Sequence, residues 1–404
     1  MLRVNRNVLI SIKYILVSGA SKGLNYLLLL YFAISAYSDR YITILLLLSL
    51  EQILSLLLPL NHSTLIYSKE ITDYKLMANK MTTNSILVVL FFFFISFIFE
   101  EQISNYFQTQ NLIVFFSLFS SMLINSYLFF LTNYYKMIEQ HENALKVQAF
   151  FLISFLTIIL FTIFLKDIVL AFFLGKAIGL VIIILILRRL NLLGFNFGIK
   201  FLSKNDLKAV FNLFSVSALG WLSGWGILNF SKLYSPQDEL LKVGYILNLF
   251  NVFLLLSIGI NSIYAPLIKK ELSIKNYKIS KKIKLKTLFI YLIIAFTVYL
   301  FYLVLIKIDF NFNDKTNSII STIPYVILLM IFNALNWVIQ PFYLINNKFK
   351  TYNIINILSF SIWVLIVVIS MYFGYKNFIF FLLLIHFIKS VLAFAYAEKF
   401  YLNR

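Results

Sequence analysis

The chain has 404 residues, 61% of them hydrophobic and 13% charged, with a formal net charge of +19 and no cysteine. That apolar fraction excludes a water-soluble domain of this size, and the missing cysteines exclude disulfides and thiolate metal sites. The positive charge alone would suggest a nucleic-acid partner, but its placement along the chain reads as membrane topology instead.

Twelve apolar stretches follow one another, at 13–36, 41–66, 83–99, 111–134, 146–165, 168–187, 209–234, 241–266, 287–306, 319–345, 353–373 and 378–397. Covering a hydrocarbon layer about 30 Å thick takes ~20 mainly apolar residues, so each stretch is a predicted membrane helix. The longest link runs only from about Arg188 to Lys208, which leaves no room for a soluble domain. The fold class is therefore all-α, a polytopic protein of 12 transmembrane helices.

The first span opens like a signal peptide, with Arg3 and Arg6 before Val8–Val17 and the small residues Ser18, Gly19 and Ala20. Lys13 interrupts that apolar core and the sequence continues as a full span, so we read it as uncleaved. With the N-terminus cytoplasmic, 25 Lys and Arg fall on the inner side and seven on the outer. Such a bias orients membrane proteins with their basic loops inside and places both termini in the cytoplasm. Heavy use of Ile, Asn, Lys, Phe and Tyr points to an AT-rich, bacterial source, hence a bacterial cytoplasmic (inner) membrane.

An internal repeat runs at an offset of about 200 residues. Leu60-Asn61-His62-Ser63 lies opposite Ile260-Asn261-Ser262-Ile263, Lys69 opposite Lys269 and Glu51 opposite Asn251, while Tyr135-Lys136-Met137 matches Tyr343-Leu344-Ile345 at offset 208. This predicts two six-helix lobes, 1–200 and 201–404. Six is even, so both lobes enter the membrane the same way, an arrangement in which transporters place a site between halves.

Charged residues deep in a span are costly, about 2.5–3.5 kcal/mol for lysine on insertion scales, and usually face a cavity or a partner. Lys22 in span one, Lys176 as the ninth residue after Asp167 and Lys389 as the twelfth after Asn377 cannot be moved out by redrawing helix ends. Glu51 in span two is the one deep acid. Measured from the turn near Tyr37–Ser38, Lys22 and Glu51 agree in depth to roughly 3 Å at ~1.5 Å per residue, so the two are expected to pair. That pair serves either as a structural ion pair or as part of an aqueous cavity. Lys176 and Lys389 have no acid at similar depth in the sequence, and read as cavity-lining cations or as lysines snorkelling along their helices.

Polar residues cluster in the seventh and eighth spans. Ser215, Ser217, Gly220, Ser223, Gly224, Gly226, Asn229 and Ser231 precede Lys232, and Asn248 and Asn251 stand at i, i+3. Small residues also serve simple helix packing, as Gly175 and Gly179 do, but asparagines in lipid need partners. Asn25, Asn229, Asn248, Asn251 and His386 are thus candidate polar lining, beside the cations Lys22, Lys176, Lys389 and Lys232. The three histidines have no metal spacing, Glu100 and Glu101 do not face each other on a helix, and no phosphate-binding glycine loop is present. No catalytic residue, metal or cofactor is expected.

The layout resembles the Wzx-type polysaccharide and O-antigen flippases of the multidrug/oligosaccharidyl-lipid/polysaccharide (MOP) superfamily, over nearly the whole chain. The resemblance rests on Lys22-Gly23-Leu24-Asn25-Tyr26 in span one, Asn61-His62-Ser63 closing span two, and Ser231-Lys232-Leu233 before Val243-Gly244-Tyr245. Ser231 stands where that family usually has an acid. The resemblance implies two six-helix lobes around a cationic cavity lined by spans one, two, seven and eight. The implied cargo is an undecaprenyl-diphosphate-linked oligosaccharide moved to the periplasmic leaflet by alternating access, as in O-antigen and lipopolysaccharide synthesis. H+ or Na+ would be the coupling ion, with Glu51 the coupling candidate. Membrane lipids, a polysaccharide polymerase and a chain-length regulator would be its other partners. A drug/cation antiporter would want more acids in the cavity, and a lipid II flippase two further spans. A membrane oligosaccharide polymerase would want a long outer loop, and a structural scaffold leaves the buried lysines unexplained.

Overall fold

The computed structural model describes residues 6–35, 38–62, 74–109, 112–138, 140–193, 199–273, 277–307, 314–345 and 349–398. Among them there is no strand, and helix follows helix. Contacts divide the chain into two compact units, one of Leu16–Leu28 and Ser35–Trp221, the other of Met1–Ile15, Leu29–Ile34 and Leu222–Arg404. Helix α1 (Arg6–Ile34) contributes to both.

The first unit continues with α2 (Ser38–Ser55), α3 (Tyr74–Ile98), the short α4 (Glu100–Phe107), α5 (Leu112–Met137), α6 (His141–Phe164), α7 (Ile168–Arg189) and α8 (Lys204–Trp221). The predicted second span, 41–66, is not one helix: α2 stops at Ser55 and a 3-10 turn follows at Pro59–Asn61. Pro59 explains the break, since proline has no N–H to donate and its ring collides with the carbonyl four residues back. Asn61 Nδ2 donates to the Ser55 carbonyl at 2.5 Å, and the His62 ring lies 2.8 Å from the Leu56 carbonyl. These side chains take up acceptors that the ended helix leaves open.

Helix α7 begins where Asp167 caps it, accepting from the Val169 and Leu170 amides at 3.0 and 3.2 Å. Such a cap satisfies N–H groups that have no partner within the helix. Gly175 and Gly179 then let α6 approach closely. A Cβ at Gly175 would lie 2.8 Å from Ile158 Cα, and one at Gly179 2.2 Å from Thr157 Oγ1. Thr157 seals the contact by donating to the Gly175 carbonyl at 2.8 Å. Near the starts of α2 and α7, Arg40, Ser104, Asn105, Gln108, Thr109 and Asp167 line one polar cavity of about 520 Å³. Three links predicted to lie on the same side of the membrane therefore meet at one end of this unit.

The second unit comprises a π-helical turn (Leu222–Gly226), α9 (Ile227–Tyr234), α10 (Gln237–Ser273), α11 (Tyr277–Lys307), α12 (Asp314–Ile320), α13 (Ile323–Ile345), α14 (Phe349–Tyr372) and α15 (Phe378–Ala397). The predicted seventh span, 209–234, is interrupted by the π turn. Gly224 and Gly226 lie within that turn, and glycine holds helical geometry weakly. Asn377 caps α15 by accepting from the Phe380 amide at 2.9 Å, which fixes the register of every polar residue farther along that helix.

Eight helical stretches among the described residues are long and apolar enough to cross a membrane. Helix α2 falls short because its 18 residues include Asp39, Arg40 and Glu51. The protein is a multi-pass membrane protein, all-α as predicted, and its 12-span, two-lobe plan fits the fold.

Candidate functional site

The buried charges of the first unit meet at Glu51. Glu51 of α2 is 5% exposed, and Lys176 of α7 donates to both of its carboxylate oxygens, at 2.6 and 2.5 Å. Ser121 of α5 lies 3.4 Å from Oε1. Tyr26 of α1 is near enough to interact with the carboxylate electrostatically. Four helices thus converge on one acid.

This corrects the expectation that Lys176 has no acidic partner. The reason lies in side-chain reach. From the starts of α2 and α7, Glu51 lies ~20 Å deep and Lys176 ~12 Å at 1.5 Å per residue. Bridging that difference takes the lengths of both the lysine and the glutamate side chains, which a comparison of Cα depths misses. Lys22 lies on α1, but its side chain is outside the described residues, so the expected Lys22–Glu51 pair cannot be placed. Asn25, a few residues on, is half-buried, and its Oδ1 has no hydrogen-bond partner among the described residues.

In the second unit the polar residues gather along α15. His386 Nδ1 faces Asn333 Oδ1 of α13 at 3.1 Å. Asn333 is held in that orientation because its Nδ2 donates to the Leu329 carbonyl at 2.8 Å. The imidazole lies beside Phe250 of α10, 5.8 Å between ring centres, and Phe250 stacks on Trp337 at 5.9 Å. Lys389 stands three residues beyond His386, on the same face. It is half-buried, and no carboxylate among the described residues pairs with it.

The other candidates are dispersed over two helices. Asn248 is fully buried on α10 and Asn251 is 9% exposed. Asn229 donates back to the Trp225 carbonyl of the π turn at 3.0 Å. Lys232 is half-buried in the last turn of α9. Sequence reasoning passed over Ser121 and Asn333. Each had a signal, Ser121 in the Ser120-Ser121 step of an apolar span and Asn333 in an Asn333/Asn336 pair spaced like Asn248/Asn251.

Such an arrangement can hold and exchange charge inside a membrane: one carboxylate already neutralised by a lysine, and one lysine beside an imidazole with no acid. No protein-family model matches the chain, and no curated protein matches it significantly. Solved structures share its fold. It aligns over 98% of its length with 96% of the MATE multidrug transporter DinF-BH, solved in complex with R6G, at 12% identity and a TM-score of 0.72. An outward-facing multidrug resistance MATE family transporter of the MOP superfamily matches at 10% identity and a TM-score of 0.67, covering 97% and 95% of the two chains. A MOP superfamily transporter from Pyrococcus furiosus, described as having a binding pocket of reversed polarity, matches at 10% identity and 0.64, covering 98% and 96%. The chain is a multi-pass helical membrane protein. Its fold is that of the MOP-superfamily transporters.

Proposed function

We propose that this protein is a transporter working by alternating access, and that its cargo is an undecaprenyl-diphosphate-linked oligosaccharide carried from the cytoplasmic to the periplasmic leaflet of a bacterial inner membrane. The observation that carries the reading is Lys389, a cation at the twelfth position of α15 with no carboxylate partner among the described residues. A charge held at membrane depth without a counter-ion is expensive, and a lysine kept there is by default a functional one. A diphosphate supplies the missing counter-charge, and the same lysine offsets the desolvation of the diphosphate as it crosses. The fold supports transport, since the solved proteins that share it are transporters. The distribution of basic residues supports cytoplasmic termini by the positive-inside rule.

In this reading Lys22, Lys232, Asn25, Asn229, Asn248, Asn251 and His386 add charge and hydrogen bonds for diphosphate and sugar. Glu51, with Lys176, is the group whose exchange of a proton or cation drives the conformational cycle. A ligand shifts a conformational equilibrium only by its differential affinity for the two states, and a paired carboxylate provides such a difference.

A second reading, export of cationic drugs, draws on the multidrug transporters with this fold. It is weakened by Lys176, which already neutralises the deep carboxylate a cationic drug would need. Thermal stabilisation of the purified protein separates the two. Farnesyl diphosphate should raise the unfolding temperature, and Lys389→Met should abolish that effect. Stabilisation by rhodamine 6G alone would favour drug export.

A further inference from the structure

Eight lysines lie between Lys269 and Lys286, and the first turns of α11 sort those with described side chains onto two faces. Lys284 points inward. Its side chain is fully buried, ion-paired with Glu398 just beyond α15, with its ammonium 4.9 Å from the centre of the Phe394 ring. Lys281, Lys282 and Lys286 are exposed.

Lys282 and Lys286 lie on a particular stripe, and Lys281 flanks it one turn before Leu285. Steps of three and four residues lead from Lys282 through Leu285 and Lys286 to Phe289, Ile293, Phe296 and Leu300, one face of a helix. Phe289 is 64% exposed and Phe296 59%, and only 11% of the 18-residue apolar segment of α11 is buried. An apolar face this open on a membrane-spanning helix is covered by lipid tails. The lysines that crown it therefore stand at the level of the lipid headgroups, on the side facing the bilayer.

We propose that this lysine-rich end of α11 is a binding site for the headgroup phosphate of an anionic phospholipid. Charge complementarity names the ligand class, because basic clusters at the end of a spanning helix attract acidic lipids. The continuous apolar stripe below selects a lipid over a soluble anion: the acyl chains lie against Leu285, Phe289 and Ile293 while the phosphate meets Lys281, Lys282 and Lys286. The inward Lys284–Glu398 pair ties the start of α11 to the end of α15, so the exposed lysines are presented on an anchored turn. The inference is independent of the cargo.

Native mass spectrometry of the full-length protein, titrated with phosphatidylglycerol or phosphatidylethanolamine, tests it. The wild type should bind phosphatidylglycerol well over tenfold more tightly than phosphatidylethanolamine. Replacing Lys281, Lys282 and Lys286 together by Gln should weaken phosphatidylglycerol binding by about a hundredfold, the loss expected for three near-surface lysines. Replacing the same three by Arg should preserve it, and Lys204→Gln with Lys208→Gln, in another exposed basic patch, should change it less than about threefold. Unchanged phosphatidylglycerol binding by the triple Gln protein, or its loss in the triple Arg protein, overturns the proposal. So does displacement of the lipid by inorganic phosphate at millimolar concentration, which would mark a site for soluble anions.

Discussion

Lys176 and Glu51 stand 125 residues apart in sequence, yet the Lys176 ammonium bonds both oxygens of the Glu51 carboxylate, at 2.6 and 2.5 Å. Their side chains are only 16% and 7% exposed. Removing one partner of a buried pair strands the other charge, at a cost of about 3–5 kcal/mol, whereas replacing both by neutral groups is often close to neutral. Lys176→Met and Glu51→Gln should therefore each lower the unfolding temperature in detergent, and the double variant should regain most of the loss. Simple addition of the two losses would show that the pair is not coupled.

The same double variant addresses function. If the pair only holds the fold, Glu51→Gln with Lys176→Met transports as the wild type does. If Glu51 exchanges a proton or cation during the cycle, the double variant inserts and folds but transports at least tenfold more slowly. Wild-type transport by Glu51→Gln alone would remove coupling from the account altogether.

Close packing of α6 on α7 is what holds Lys176 in place. Gly179→Leu must displace Thr157 and the Ser154 backbone, which a Cβ alone would approach to 2.2 and 2.6 Å. Overpacking of this kind costs about 1–3 kcal/mol. Gly220→Ala is the matched control, since its Cβ would meet nothing within 4 Å. A lowered unfolding temperature for Gly179→Leu and an unchanged one for Gly220→Ala is the expected pattern.

Much of this was legible in the sequence because a bilayer leaves few choices. Spans of about 20 apolar residues gave the helices, and Asp167 and Asn377 marked where α7 and α15 begin, so Lys176 and Lys389 could be given depths in advance. The breaks were harder to see. Pro59 sits inside an otherwise apolar run, and its effect on α2 is local stereochemistry that hydropathy averages away. The glycines at 224 and 226 read as small packing residues, and nothing in their spacing marked a π turn. Pairing was least legible, because depth along one hairpin says nothing about a third helix. The partner of Glu51 came from α7, brought there by glycine packing and the reach of both side chains.

Orientation can be read by labelling, since the chain has no native cysteine to interfere. Single cysteines at Asn105 and Asn311 should react with a membrane-impermeant maleimide added outside intact cells. Cysteines at Asn205 and Lys275 should react only after the membrane is opened. Outside labelling at Asn205 would invert the topology.

Lys389 should matter through its charge. Lys389→Met should insert normally and lose at least tenfold in transport, while Lys389→Arg retains most of it, because the guanidinium also neutralises a phosphate. Equal activity in the Met and Arg variants would mean that the charge has no role.

The most direct test follows lipid across the membrane. Proteoliposomes of the purified protein are loaded with a short polyprenyl-diphosphate oligosaccharide bearing a fluorophore, and the fraction open to an external quencher is followed over time. The wild type should translocate the labelled lipid, Lys389→Met should do so at least tenfold more slowly, and the matching neutral prenyl-alcohol glycoside should not move. Equal movement of the diphosphate and neutral lipids, or none of the diphosphate alongside active transport of rhodamine 6G, would contradict it.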